Sequence, residues 1–515
     1  MAKILGPVLG FRGVSEQGWR VSILTVTDGA APRITVDRPA NIAVTPPRAI
    51  GKSGDNTAWR SDVTIQQKDR TDTKVTYRIG TKETYAFTVP GKTITPRMAY
   101  GSCNGFSDPK AMKSVDENNH LWDVLFKKHA EAPYHLMLLG GDQVYADTLW
   151  TMVPSMQAWS ELSFKDGNKA SFTPTMRAEV DKFYFDLYCA RWSQPQPAKV
   201  LASVPSIMMW DDHDIMDGWG SYKPERQGSA VFKGIFEIAR KHFVTFQLHG
   251  SPRDKTDPVF ITPHTGFSYG HVFQKLGVLA VDMRSERSQS QVVGRESWDL
   301  VLNWIDRLEG LDHLFVMSSI PVAHPTFGLL ESLLGLVPGQ QEIEDDLKDH
   351  WSSRSHQAER VRFIHRLLKF AADKNTRVTI LSGDVHIAAL GVIESRRSGA
   401  TVGNSQVINQ LTSSGIVHPA PPALIAFALD RLFDNTEEVD RGITATMEKF
   451  PGTQKRFLAG RNWLSLEPDT PGGPGRIWAN WFAEGSQAEP YTKVIHPVTA
   501  ASVSAPSRQA APAEQ

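Results

Sequence analysis

Residues 134–147 read YHLMLLGGDQVYAD. A continuous apolar run stops at two glycines and delivers Asp142 and Tyr145. Such a run, with no alternation of polar and apolar positions, is the mark of a strand buried on both faces. After Pro96 the same texture recurs in RMAYGSC (97–103), SIMMWDDHD (206–214), LGVLAVDMR (276–284), HLFVMSSIP (313–321), RVTILSGDVH (377–386) and VINQLTSS (407–414). Helical stretches separate these runs, at 116–131, 174–192, 230–248, 296–309 and 356–372. The last places Ile364, Leu367, Leu368 and Ala371 on one face at spacings of three and four. Strands alternating with helices predict an α/β architecture.

The first ninety residues differ. WRVSILTV, RITVD, VTYRIG and ETYAFTV are rich in β-branched and aromatic residues, with turn clusters TDGAAP and GKSGDN between runs. They predict a small all-β sandwich over 1–92, preceding an α/β, layered catalytic domain over 93–498. Residues 322–355 are less regular and read as a lid or insertion. The Ala/Ser/Pro-rich tail, 499–515, reads as disordered. The whole chain has 515 residues, 41% hydrophobic and 22% charged, enough to bury a sizeable core. Lys plus Arg and Asp plus Glu are both 56, so no net charge draws the chain to nucleic acid or an anionic membrane. Its two cysteines, Cys103 and Cys189, make no disulfide framework. No stretch approaches the roughly 18 uninterrupted apolar residues of a spanning helix. The opening MAKILGPVLGFRG, broken by Gly6, Pro7 and Gly10, lacks a signal-peptide pattern and predicts a cytoplasmic protein.

The polar residues fall where the apolar runs end. Cys103 follows MAYGS, Asp142 follows LMLLGG, Asp211 to Asp214 follow SIMMW, and Asp384 and His386 follow VTILSG. Open α/β sheets bind ligands outside the carboxyl ends of their strands, so one convergent site is expected. Taken singly, each residue has a plainer role: a lone aspartate caps or turns, and a lone cysteine packs. Their repetition in one context carries the functional reading. Asp142 can bridge two cations, the core of a two-metal hydrolytic site. The Tyr145 phenolate and Cys103 thiolate suit a trivalent metal, iron(III) above all. Asp212 and Asp384 add hard oxygens that suit Ca²⁺, with Mn²⁺ as the substitute, and His386 adds an imidazole. His213, among carboxylates, is placed to be cationic and to protonate a leaving group.

The motifs GSCNG, GGDQVYAD, MMWDDHDIMDGWGSY, VDMRSERS, SGDVHIA and QLTSSGI, in that order from about Arg97 to Gly415, resemble the calcineurin-like metallophosphoesterases. More narrowly, they resemble the PhoD-like alkaline phosphatases. The superfamily's first, third and last motifs usually carry Asp-x-His, Gly-Asn-His-Asp/Glu and Gly-His-x-His. Here those places read Ser-Cys, Asp-Asp-His-Asp and Gly-Asp-Val-His, as in the PhoD-like branch, which uses iron with calcium behind a β-rich domain. The resemblance implies that Asp142 bridges the metals, that Cys103, Tyr145 and His386 complete the iron side, and that Asp212 and Asp384 hold the divalent side. It implies phosphoester hydrolysis, with a metal-bound hydroxide attacking phosphorus and His213 assisting the leaving group. GDQVY also resembles the iron-binding segment of purple acid phosphatases. The chain departs from secreted PhoD enzymes in opening without a twin-arginine signal, and in having Asp217-Gly218 where some relatives carry asparagines. The alternatives are an enzyme of the same fold that prefers phosphodiesters, and a catalytically silent binding scaffold.

Arg284 and Arg287 in DMRSERS read as bidentate phosphate contacts or as a surface charge run. Ser318 and Ser319 stand where the superfamily often has a metal-binding histidine, and could equally end a strand. His120, His129, His249, His324, His350, His356 and His365 have no partner spacing that marks a site. Cys189 and the aromatic WANWF segment read as packing.

Overall fold

The computed structural model describes residues 3–37, 42–80, 83–251, 260–262, 266–324, 354–397, 406–422, 430, 435–470 and 473–498. The amino-terminal strands are β1 (Lys3–Ser15), β2 (Gly18–Asp28), β3 (Ile34–Asp37), β4 (Ile42–Val44), β5 (Arg48–Ser53), β6 (Asn56–Ile65), β7 (Thr73–Ile79) and β8 (Glu83–Val89). The apolar runs then become β9 (Met98–Gly101), β10 (Leu136–Gly140), β11 (Ser206–Met209), β12 (Tyr269–Phe273), β13 (Leu276–Val281), β14 (His313–Ser318), β15 (Arg377–Ser382), β16 (Ala388–Ser395) and β17 (Val407–Ser413). Finally come β18 (Thr436–Asp440), β19 (Ile443–Glu448), β20 (Phe457–Leu458), β21 (Asn462–Pro468), β22 (Ile477–Ala483) and β23 (Tyr491–Ile495).

Two large sheets form. The first runs β23-β22-β21-β9-β10-β11-β1-β2-β6-β4, and the second β12-β13-β14-β15-β17-β16-β19-β18. β9, β10 and β11 are mutually parallel, as are β13, β14, β15 and β17. The residues of β10 alternate between two cores. Leu136 and Leu138 join a cluster with Phe315, Met317 and Leu381 of the second sheet, so the sheets pack face to face. Met137 and Leu139 join Leu121, Trp122, Leu125, Phe185 and Tyr188 on the helices outside the first sheet. Outside the second sheet, Val316 and Ile380 pack against Trp298, Val301, Ile364 and Leu367. The result is four layers, helix–sheet–sheet–helix, with both parallel cores covered as such sheets require. Helices at His120–Glu131, Pro174–Trp192, Ala230–Phe246, Arg295–Asp306 and Arg354–Lys374 fall where the periodicity placed them.

The β-rich amino-terminal region is present, and its main strands belong to the same sheet as β9, β10 and β11. β1 runs parallel to β11, with Gly10 opposite Ser206, and pairs with β2 on its other side. β3, β7 and β8 make a separate three-stranded sheet, tied in by the Tyr77 hydroxyl donating to the Ala202 carbonyl at 2.7 Å. Most of the segment read as a lid, 325–353, and the tail 499–515 lie outside the described residues. Among the described residues, no helix is long and apolar enough to cross a membrane.

Candidate metal centre

The site lies where the parallel strands of both sheets end. β9 leads to Cys103, β10 to Asp142, β11 to Asp211–Asp214, β13 to Arg284, β15 to Asp384 and His386, and β17 to Ser414 and His418. The chain must turn abruptly there to expose side chains and not continue the strand. Cys103, Asp142, Asp384 and His386 accordingly have φ of 53°, 54°, 71° and 53°, the left-handed region that side chains avoid. Such strain is of order 1–3 kcal/mol per residue and clusters at functional sites. Gly141, at φ 107°, makes room: a Cβ there would lie 2.8 Å from that of Asp211.

Asp142, Asp211, Asp212 and Asp384 each bring a carboxylate oxygen to within 4.8 Å of the others, all buried. His213 joins Asp142 and Asp212 in a second group, of three, whose ligand atoms lie within the same distance of one another. Arg284, fully buried, bonds Asp211 through Nε and lies 3.3 Å from Asp212 and 3.9 Å from Asp384. One guanidinium cannot balance four carboxylates. Asp142 Oδ1 and Asp211 Oδ2 have no hydrogen-bond partner despite burial. Burial, with Cys103 and Asp211 beside it, pushes the Asp142 carboxyl well above the usual range. Unbalanced buried carboxylates with unused oxygens are what a cation site requires, so these residues fit metal ions.

Cys103 Sγ lies 3.4 Å from Asp142 Oδ2 and 3.1 Å from Ser414 Oγ. Both ring nitrogens of His386 are buried without hydrogen-bond partners. Burial, with His418 and His213 nearby, holds that imidazole well below its ordinary pKa, hence neutral and able to donate a lone pair. The described residues do not bring Cys103 or His386 into a metal-holding group of three, so the carboxylate side is the more fully assembled. Tyr145 is buried and stacks on His213, with ring centroids 4.3 Å apart.

His213 Nδ1 meets both oxygens of Asp147 at 3.0 Å, and Asp147 also accepts from the Asp217 amide. Burial opposes a charge on His213, but Asp147, Asp212 and Asp142 outweigh it and hold its pKa well above the ordinary value. Asp214 accepts from the amides of Asp211, Gln143 and Val144, fastening the Asp142 loop to the Asp211 loop. Burial pushes Asp214 up to about 7.

The two arginines are both buried, in different surroundings. Arg284 is spent on the carboxylates and on the Trp219 carbonyl, 3.1 Å away. Arg287, 3% exposed, packs over Gly220, where a Cβ would meet its Cγ at 2.5 Å. Ser318 Oγ donates to the Ile320 carbonyl at 2.6 Å and ends its strand. Sequence reasoning missed Asp147, Asp211 and His418 as individuals. The first two stand inside motifs it used, whereas His418, in a proline-rich loop, carried no signal.

A family model described as PhoD related phosphatase matches residues 65–338 and 326–437. A Saccharomyces cerevisiae protein, uncharacterized protein YGR266W, is 30% identical over 476 residues, which cover 75% of this chain. The match takes in 66% of that relative's length. A solved structure of PhoD aligns over 96% of this chain and 88% of its own, with TM-score 0.56 and 14% identity, which shows a shared fold. The motif order, the strand-end cluster of carboxylates and the family match agree: the chain belongs to the PhoD-related phosphatases.

Proposed function

We propose that this protein hydrolyses phosphoesters with a mixed iron–calcium centre. The observation that carries the reading is the buried group of four carboxylates with His213 beside it. Cys103, Asp142, Tyr145 and His386 would hold iron(III), a soft thiolate and a phenolate being the donors that distinguish it. Asp142, Asp212 and Asp384, with Asp211 alongside, would hold Ca²⁺ through oxygens. When bound, such cations neutralise charge on the phosphoryl oxygens and lower the pKa of water for attack.

The chain's own groups do the rest. Asp147 takes the Nδ1 proton of His213 in a hydrogen bond, so the Nε2 proton is the one left for a departing alkoxide. Arg284 offsets part of the charge of Asp211 and Asp212 and fixes both carboxylates. It is therefore a positioning residue in this reading, not a substrate contact. Whether monoesters or diesters are preferred would depend on the depth of the cleft, which the segment 143–173 would help set. The test is elemental analysis of the purified protein together with turnover of p-nitrophenyl phosphate and bis-p-nitrophenyl phosphate. Full metal occupancy with no turnover of either would leave a silent scaffold instead.

A further inference from the structure

Four rings stack in sequence at the site. His213 lies on Tyr145 at 4.3 Å and 27°, Tyr145 on His418 at 5.5 Å and 15°, and His418 on His386 at 3.8 Å and 21°. Three of them have roles in the proposed chemistry. His418 has none, yet it touches both Tyr145 and His386.

Two hydrogen bonds hold the ring in place. His418 Nδ1 lies 3.0 Å from the Pro419 carbonyl oxygen, which can only accept, so Nδ1 carries the proton. In the neutral ring Nε2 is then the acceptor, and the Ser107 hydroxyl donates to it at 3.3 Å. The backbone is pinned as well: the amides of Val417 and His418 donate to the Cys103 carbonyl at 3.3 and 3.1 Å. His418 is thus fastened to the loop that carries Cys103, with both ring nitrogens occupied. To Tyr145 and His386 it presents a flat face.

We infer that His418 is a positioning residue whose pinned ring sets the planes of Tyr145 and His386. The consequence for metal binding rests on the reading of those two residues as iron ligands. Residues that orient a ligand from behind typically change metal affinity by about 10–100-fold when removed.

The test compares full-length wild type with His418→Phe, which keeps a flat ring without nitrogens, and His418→Leu, which keeps volume without a flat face. Should His418→Leu not fold, His418→Gln, also ringless, replaces it. In metal-free protein labelled with 3-fluorotyrosine, the Tyr145 fluorine signal, identified by Tyr145→Phe, should be single in wild type and His418→Phe. It should split or broaden in the ringless variant as the tyrosine samples more than one orientation. After iron loading, the ringless variant should bind iron about tenfold more weakly or worse. Its visible band should move, and His418→Phe should restore both. An unchanged fluorine signal in the ringless variant overturns the inference, and so does His418→Phe behaving like His418→Leu. A colourless wild type with the expected fluorine result would remove the iron reading while leaving the positioning role in place.

Discussion

His213 is held by Asp147 through one ring nitrogen and lies among carboxylates that keep it charged. Replacing it with alanine should lower turnover by about 10²–10⁴-fold, the usual worth of general acid help. The loss should exceed any loss of metal and should shrink for esters with good leaving groups, which need little protonation. A leaving-group series with a uniform loss would instead assign His213 to positioning. Tyr145→Phe should remove the phenolate-to-iron(III) charge-transfer band of the iron-loaded protein without unfolding it, leaving at most the weaker contribution of the Cys103 thiolate. Absorption and circular dichroism spectra taken together decide this, and a visible band unchanged in the variant would reject the phenolate. At this scale the sequence showed which residue types end each strand, because Cys103, Asp142, Asp212, Asp384 and His386 interrupt apolar runs. It could not show that Arg284 faces inward, because a charged residue in a loop reads the same whether it meets solvent or three aspartates. Nor could it show His418, which acts through a ring face.

The elements were legible in proportion to how uniformly they are buried. β10, β13, β14 and β15 are buried along their whole length; the first three are centred on apolar runs, while β15 carries Arg377, Thr379 and Ser382 among its apolar residues. The helix Pro174–Trp192 begins where Thr173 caps it through the Met176 amide and Pro174 follows, which fixed its start. β1 escaped notice because Gly6, Pro7 and Gly10 break its run and both of its faces are covered, so no alternation appears. The helices Pro174–Trp192 and Ala230–Phe246 are joined by Asp181, which accepts from Lys241 at 2.6 Å and contacts His242 at 2.8 Å. Burial raises the Asp181 carboxyl, but His242 and Lys241 prevail and lower it from 3.8 to about 2. A lowered folded pKa stabilises the native state above the unfolded value, and that stability disappears as pH falls through the folded one. Asp181→Asn should therefore cost about 1 kcal/mol at neutral pH after allowance for solvent screening. The deficit should fade as pH drops from 3.8 toward 2. Urea titrations across that range measure it, and a deficit independent of pH would mean that packing, not charge, was lost.

For the molecule as a whole, the place of β1 matters more than any single side chain. It lies between β11 and β2 within the first sheet, and Leu9 and Phe11 enter the core shared by both sheets. A fragment starting at residue 93 would bare the edge of β11 and remove those core residues. It should be insoluble or lack a cooperative unfolding transition, whereas an excisable module would leave a stable, active remainder. Metal dependence belongs to this scale too, because the proposed ligands come from strands of both sheets. A calcium-selective chelator should abolish turnover while iron and colour stay. Calcium should restore activity and zinc should not, and Asp384→His should tilt the preference toward zinc, since imidazole suits that metal. Full activity in calcium-free buffer, with zinc found by elemental analysis, would reject the all-oxygen divalent site.

The left-handed backbone at Cys103, Asp142, Asp384 and His386 also bears on how such a protein would decay. Glycine adopts that conformation freely, and asparagine tolerates it better than most. A copy released from selection for chemistry, but still selected for stability, should drift toward glycine or asparagine at these four positions. Valine and isoleucine should be nearly absent there. The pseudoenzymes of this lineage would then be betrayed by small residues at the ends of intact strands, and should melt at higher temperatures than their active cousins.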